Sequence, residues 1–186
     1  MSEPPLPIGA TPRTIAACAA ICLLSLLAWC VSDLRLNLSS SVPLGVYRLV
    51  AGSPHRGSTV LLCLPKPVAE LARDRGYLRM RGNCPGNVSP VGKPVLALPG
   101  DTIVVERNAG LFVNGARIPN TRALARDEAG RMLPHFPDGT YPVASGQLWV
   151  ASQYSSRSFD SRYFGPVEGS SVRSVIRPIW TLSLTH

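Results

Sequence analysis

The sequence predicts a mainly β, antiparallel domain with one short helix, tethered by a single N-terminal transmembrane helix. Three observations carry this prediction. An uncharged apolar run near the N-terminus matches the thickness of a bilayer. The rest of the chain is cut into short stretches by 18 Pro and 16 Gly in 186 residues, which suits strands and turns better than long helices. Charged residues make up only 16% against 45% hydrophobic, which excludes disorder over the whole chain and a charged coiled coil.

The elements follow in order. Residues 1–13 read as a Pro-rich cytoplasmic tail. Thr14 to Val31 is free of charge and would span about 27 Å as a helix, close to the hydrocarbon thickness. No Ala-x-Ala site follows it, so an uncleaved anchor is expected rather than a signal peptide. Arg13 before the run gives a slight bias for a cytoplasmic N-terminus. Residues 32–40 form a short tether, and 32–186 an extracytoplasmic domain on the outer face of a bacterial inner membrane.

Within that domain Val46–Leu49 and Thr59–Leu64 read as strands. Pro67 opens a helix running to about Arg79, with Val68, Leu71 and Leu78 as its buried positions. Gly82–Gly92 reads as loop and Pro94–Leu98 as strand, headed by Lys93. Thr102–Arg107 and Leu111–Val113 flank Asn108-Ala109-Gly110, a hairpin signal, with a second turn at Asn114-Gly115. Residues 118–140 lack periodicity and form an excursion. Gln147–Ala151 and Val172–Leu184 are strands, the last marked by Pro178 as an edge or a bulge.

The formal net charge is +8. With an anchor in the chain, attraction to inner-membrane anionic lipid explains it better than nucleic-acid binding. Cys18, Cys22 and Cys30 fall in the anchor. Cys63 and Cys84 remain as an even pair, a candidate disulfide in an oxidising compartment; two buried thiols are the other reading. No Cys/His spacing suits zinc, and no metal or organic cofactor is required.

Three segments hold chemistry. Asn37-Leu-Ser39-Ser40-Ser41-Val-Pro43-Leu-Gly45-Val-Tyr47 places serines just beyond the anchor. Gly92-Lys93-Pro-Val-Leu-Ala-Leu-Pro99-Gly100-Asp101 places a lysine on an apolar strand. Ser158-Phe-Asp160-Ser161-Arg162-Tyr163-Phe-Gly165 is the third. Taken singly they read as a hydroxylated linker, a surface lysine and a turn with an ion pair. Taken together, in this order, they resemble the type I signal peptidases, and most closely the conjugative-transfer, TraF-type branch. The resemblance covers nearly the whole chain.

The resemblance implies a signal-peptidase-like β domain and a Ser/Lys pair. Ser41 would be the nucleophile and Lys93 its general base. Ser158 would orient the amine, and Asp160 and Arg162 would hold the site's shape. Ser39 would add a hydroxyl to the Ser41 backbone N–H at the oxyanion. The physics of Lys93 is consistent with this. A lysine works as a base only when neutral, and apolar burial lowers its pKa. Val95, Leu96 and Leu98 are such neighbours, and no Asp or Glu lies within seven residues of Lys93. Lys66, the other lysine, reads as solvated. Ser40 also fits a Ser-x-x-Pro spacing. His55, His135 and His186 leave a Ser-His-Asp triad open but sit in no partner motif. Pro94, following Lys93, removes a backbone donor and puts the local pairing in question.

The expected protein is a membrane-anchored serine endopeptidase that trims an exported precursor, a conjugative pilin by resemblance, with hydrolysis or cyclisation as the outcome. The alternative is a pilus or secretion scaffold of the same fold with an inactive site.

Overall fold

The computed structural model describes residues 12–78 and 81–182, and leaves the side chains of Leu27, Trp29, Cys30 and Val31 outside that description. Most of the expected tail, four side chains of the expected anchor, Arg79 and His186 therefore lie outside the described residues. The chain divides into two compact units between Leu34 and Arg35.

The first unit contains α1 (Pro12–Ser32), 21 residues long. Its described apolar side chains, among them Ile15, Ile21 and Leu24, are exposed. Among the described residues no helix is long and apolar enough to cross a membrane.

Among the described residues, the second unit is built on two antiparallel sheets. The larger has seven strands in the order β1-β2-β12-β3-β5-β10-β11. They are β1 (Leu34–Asn37), β2 (Leu44–Val50), β3 (Thr59–Leu62), β5 (Val91–Ala97), β10 (Gln147–Val150), β11 (Val167–Glu168) and β12 (Val172–Leu182). The smaller has four, in the order β8-β7-β6-β9: β6 (Thr102–Glu106), β7 (Gly110–Val113), β8 (Ala116–Arg117) and β9 (Gly139–Pro142). One core lies against β3, β5 and β10, with Val60, Leu62, Val95 and Val150 at its centre. A second lies under the smaller sheet, with Ile103, Leu111 and Trp149.

Several elements differ from the sequence expectation. The tether contains β1, because Leu34-Arg35-Leu36-Asn37 can pair along the β2 edge. Helix α2 (Lys66–Asp74) stops five residues early. Gly76 takes a left-handed φ of 74°, and the N–H groups of Arg75, Gly76 and Tyr77 cap the last carbonyls. Its fully buried residues are Ala69 and Ala72; Val68, Leu71 and Leu78 are half-buried. The expected loop 82–92 carries β4 (Arg81–Cys84), which turns back on Val88 through Gly86 and Asn87, both with positive φ. Cys63 and Cys84 are joined by a disulfide across this region. The excursion ends in β9, which pairs with β6. A four-residue helix, α3 (Ser161–Phe164), and β11 carried no sequence signal.

Pro178 sits where β12 shifts register against β2. The pairing of β12 with β3 ends at Ile176, so the proline lies beyond the reach of β3 with its nitrogen owing no ladder bond.

Candidate active site

Lys93 lies inside β5 rather than at its head, because pairing begins two residues earlier, at Val91. It stands opposite Val60 of β3. Pro94 does not break the sheet. It pairs with Thr59, and its carbonyl accepts from the Ala151 N–H. The lysine side chain is 5% exposed.

Ser41 arrives from the connection between β1 and β2. Val42 seats that loop. It is buried with Tyr47 and Ile176, and it lies beside Gly92. The serine-rich linker is thus pinned to the sheet by one apolar side chain. Gly45 then permits β2 to pair closely with β12. A Cβ there would lie 2.1 Å from the Trp180 carbonyl oxygen, at a φ of +153°.

The two meet. Lys93 Nζ is 2.7 Å from Ser41 Oγ and 2.8 Å from Ser158 Oγ, and the Ser158 hydroxyl donates to Ser41 Oγ at 3.1 Å. The structure brings Ser41, Lys93 and Ser158 into one buried cluster. Ser40 is exposed. His55 bonds within its own turn. His135 and Arg162 line a niche against the smaller sheet that has no room for a water molecule.

Burial governs the lysine. Loss of hydration lowers its pKa from 10.5 to about 8; the Asp160 carboxylate raises it and the Arg162 guanidinium opposes that. Asp160 and Arg162 form a fully buried ion pair at 2.7 Å. Arg162 also donates to the carbonyls of Asn120, Ser155, Ser156 and Ser158. Asp160 accepts from the Ser152 N–H. The pair therefore shapes the loop that presents Ser158, and Arg162 offsets part of the carboxylate's pull towards a charged Lys93.

Ser39 is placed differently from the expectation. It is exposed, and its hydroxyl donates to Asn37 Oδ1 at 2.8 Å. Sequence reasoning gave no role to Ser152 and Ser161, both fully buried. Ser152 Oγ accepts from the Tyr154 and Ser155 N–H groups, and Ser161 Oγ from that of Val150. Small polar residues flanking a candidate segment were the available signal. Among the described residues no cluster could hold a metal ion.

A buried lysine amine against a serine hydroxyl is an arrangement that can activate a nucleophile. The profile described as signal peptidase, peptidase S26, matches residues 11–181, and the chain belongs to that family. It is similar to the plasmid transfer protein TraF of Escherichia coli, 36% identical over 148 residues, which cover 79% of this chain and 82% of that one. It is also similar to a probable conjugal transfer protein TraF of Sinorhizobium fredii, 35% identical over 180 residues, covering 95% of this chain and 90% of its relative. A solved signal peptidase I from Enterococcus faecalis aligns with a TM-score of 0.39 at 24% identity, over 68% of this chain and 98% of its own.

Proposed function

We propose that this protein is a membrane-anchored serine endopeptidase that removes a signal or pro-segment from an exported, pilin-type precursor, with Ser41 as nucleophile and Lys93 as general base. The observation that carries the reading is the 2.7 Å approach of a buried lysine amine to a serine hydroxyl. With a pKa near 8, about a tenth of Lys93 is neutral at pH 7. That fraction accepts the Ser41 proton as Oγ attacks the scissile carbonyl.

The developing oxyanion is met by the Ser41 backbone N–H. Ser39 adds a second donor once its hydroxyl turns from Asn37. Donors of this kind are worth about 2.7–4 kcal/mol of barrier each. Protonated Lys93 then gives its proton to the leaving amine, and the acyl group stays on Ser41 as an ester. Water attacking that ester, its proton passing to Lys93, completes hydrolysis. A chain amine attacking instead joins two ends, so both outcomes are open to the same intermediate. Ser158 and the Asp160–Arg162 pair hold the amine in place.

The uncharged run Thr14–Val31, the exposed apolar side chains of α1 and the TraF relatives support an anchor. In this reading residues 1–13 are cytoplasmic, 14–31 cross the inner membrane, and 32–186 work on its outer face. The net charge of +8 favours contact with anionic lipid.

The test is intact mass spectrometry of a pilin precursor from the same transfer locus, co-expressed with the wild type, Ser41→Ala or Lys93→Ala. Shortening by the wild type alone is the expected result, and further loss of one water marks cyclisation. An intact precursor with the wild type overturns the substrate assignment. Cleavage by Ser41→Ala overturns the nucleophile.

A further inference from the structure

The six residues between β1 and β2 carry Ser41 and stand outside every strand ladder, so their backbone groups need other partners. One side chain serves four of them, three carbonyls and one N–H. Asn37 Nδ2 donates to the carbonyls of Ser39 at 2.9 Å, Val42 at 3.1 Å and Pro43 at 3.0 Å. An amide has two N–H groups, so one is shared between carbonyls. Asn37 Oδ1 accepts from the Ser39 N–H at 3.2 Å and from its hydroxyl at 2.8 Å. The Tyr47 hydroxyl reinforces the far end, donating to the same Pro43 carbonyl at 2.7 Å.

From this lacing we infer that Asn37 is a positioning residue: it holds the turn that sets Ser41 Oγ against Lys93 and stores the Ser39 hydroxyl until the oxyanion forms. The inference rests on the catalytic roles proposed above for Ser41 and Lys93. Lys93 is fixed independently, by the pairing of β5 with β3 and by Ser158. Loss of Asn37 therefore moves the nucleophile and leaves the base where it is. A displacement of about 1 Å at a reacting atom can cost on the order of a hundredfold in rate.

The experiment uses the full chain in detergent and a small acyl donor, p-nitrophenyl acetate, which needs no peptide recognition. Ser41 Oγ attacks the acetyl carbonyl, p-nitrophenolate leaves, and the serine proton passes through Lys93 to solvent. Acetylation at residue 41 is followed by peptide mass spectrometry against pH, with Ser41→Ala as the blank. The variants are Asn37→Ala and Asn37→Asp. The second keeps an acceptor for Ser39 but loses both donors.

Both variants are expected to lower the plateau rate by about ten- to a hundredfold, while the pH midpoint stays near that of the wild type. Full activity in Asn37→Asp overturns the assignment to the donors, and full activity in both overturns the inference. A midpoint raised towards that of an ordinary lysine means that the site has collapsed and rehydrated, and overturns it equally. Should the wild type acetylate Ser41 yet leave the pilin precursor intact, the substrate assignment fails and the role of Asn37 is still decided by the variants. Should the wild type fail to acetylate Ser41 at all, the nucleophile assignment and this inference fall together.

Discussion

Replacing Lys93 by Met tests the buried amine through stability rather than through activity. The folded pKa of about 8 lies below the unfolded value of 10.5. Between those two pH values the unfolded chain binds the extra proton, so wild-type stability rises with pH across the window. Below pH 8 both states are charged and the full penalty applies. At 1.36 kcal/mol per pH unit it is about 3 kcal/mol. Above pH 10.5 both states are neutral and the penalty is gone.

Methionine fills the space without a charge. It forfeits two hydrogen bonds, to Ser41 and Ser158, each worth about 1 kcal/mol net. That loss sets the level of the difference and not its slope, while groups common to both chains cancel. Urea unfolding of the full chain in detergent, followed through the buried Trp149, should show Lys93→Met gaining about 1–3 kcal/mol on the wild type at pH 7. The gap should narrow by about 2–3 kcal/mol by pH 10. A gap independent of pH would refute the claim that Lys93 is held partly neutral by burial.

Other consequences are as direct. Wild-type kcat should rise with pH through about 8, as Lys93 loses its proton; a flat profile between pH 6.5 and 9.5, read with a precursor peptide, would exclude it as the base. Asp160→Ala leaves the Arg162 guanidinium buried without its partner and should cost about 3–5 kcal/mol in thermal melts; in the surviving folded fraction the pH midpoint should fall, since Asp160 raises the Lys93 pKa. Gly45→Ala forces a Cβ onto the Trp180 carbonyl and should lower stability by about 2 kcal/mol or more by the same melts, whereas Gly57→Ala, which meets no atom within 4 Å, should lose only what its positive φ imposes. Removing the Cys63–Cys84 bridge, which spans 21 residues, should cost about 3 kcal/mol in the Cys63→Ala/Cys84→Ala double variant, and reductant should then have no further effect.

The sequence by itself determined the mainly β class and the family. Turn residues such as Asn114-Gly115 constrain φ locally, and β-branched runs such as Ile103–Val105 favour a strand without any partner in view. It also named the residues that meet, through the joint resemblance of the segments holding Ser41, Lys93 and Ser158 to one family, since each segment alone read as a linker, a surface lysine or a turn. What it could not reach was everything decided by contact at a distance. The end of α2 depended on carbonyls capped after Gly76. The strand at 139–142 exists because β6 offers it an edge, and its own residues carry little β signal. Ser41 was separated from Ser40 by Val42, a single apolar residue whose burial against Ile176 turns one serine inward. The lysine pKa belongs to no local pattern either. It follows from desolvation by strands far apart in the chain and from an ion pair whose two charges act on Lys93 in opposite directions. Local propensity acts over a few residues, and burial and electrostatics act across the fold; most of the long elements were legible in the first, and the geometry of the site was set by the second.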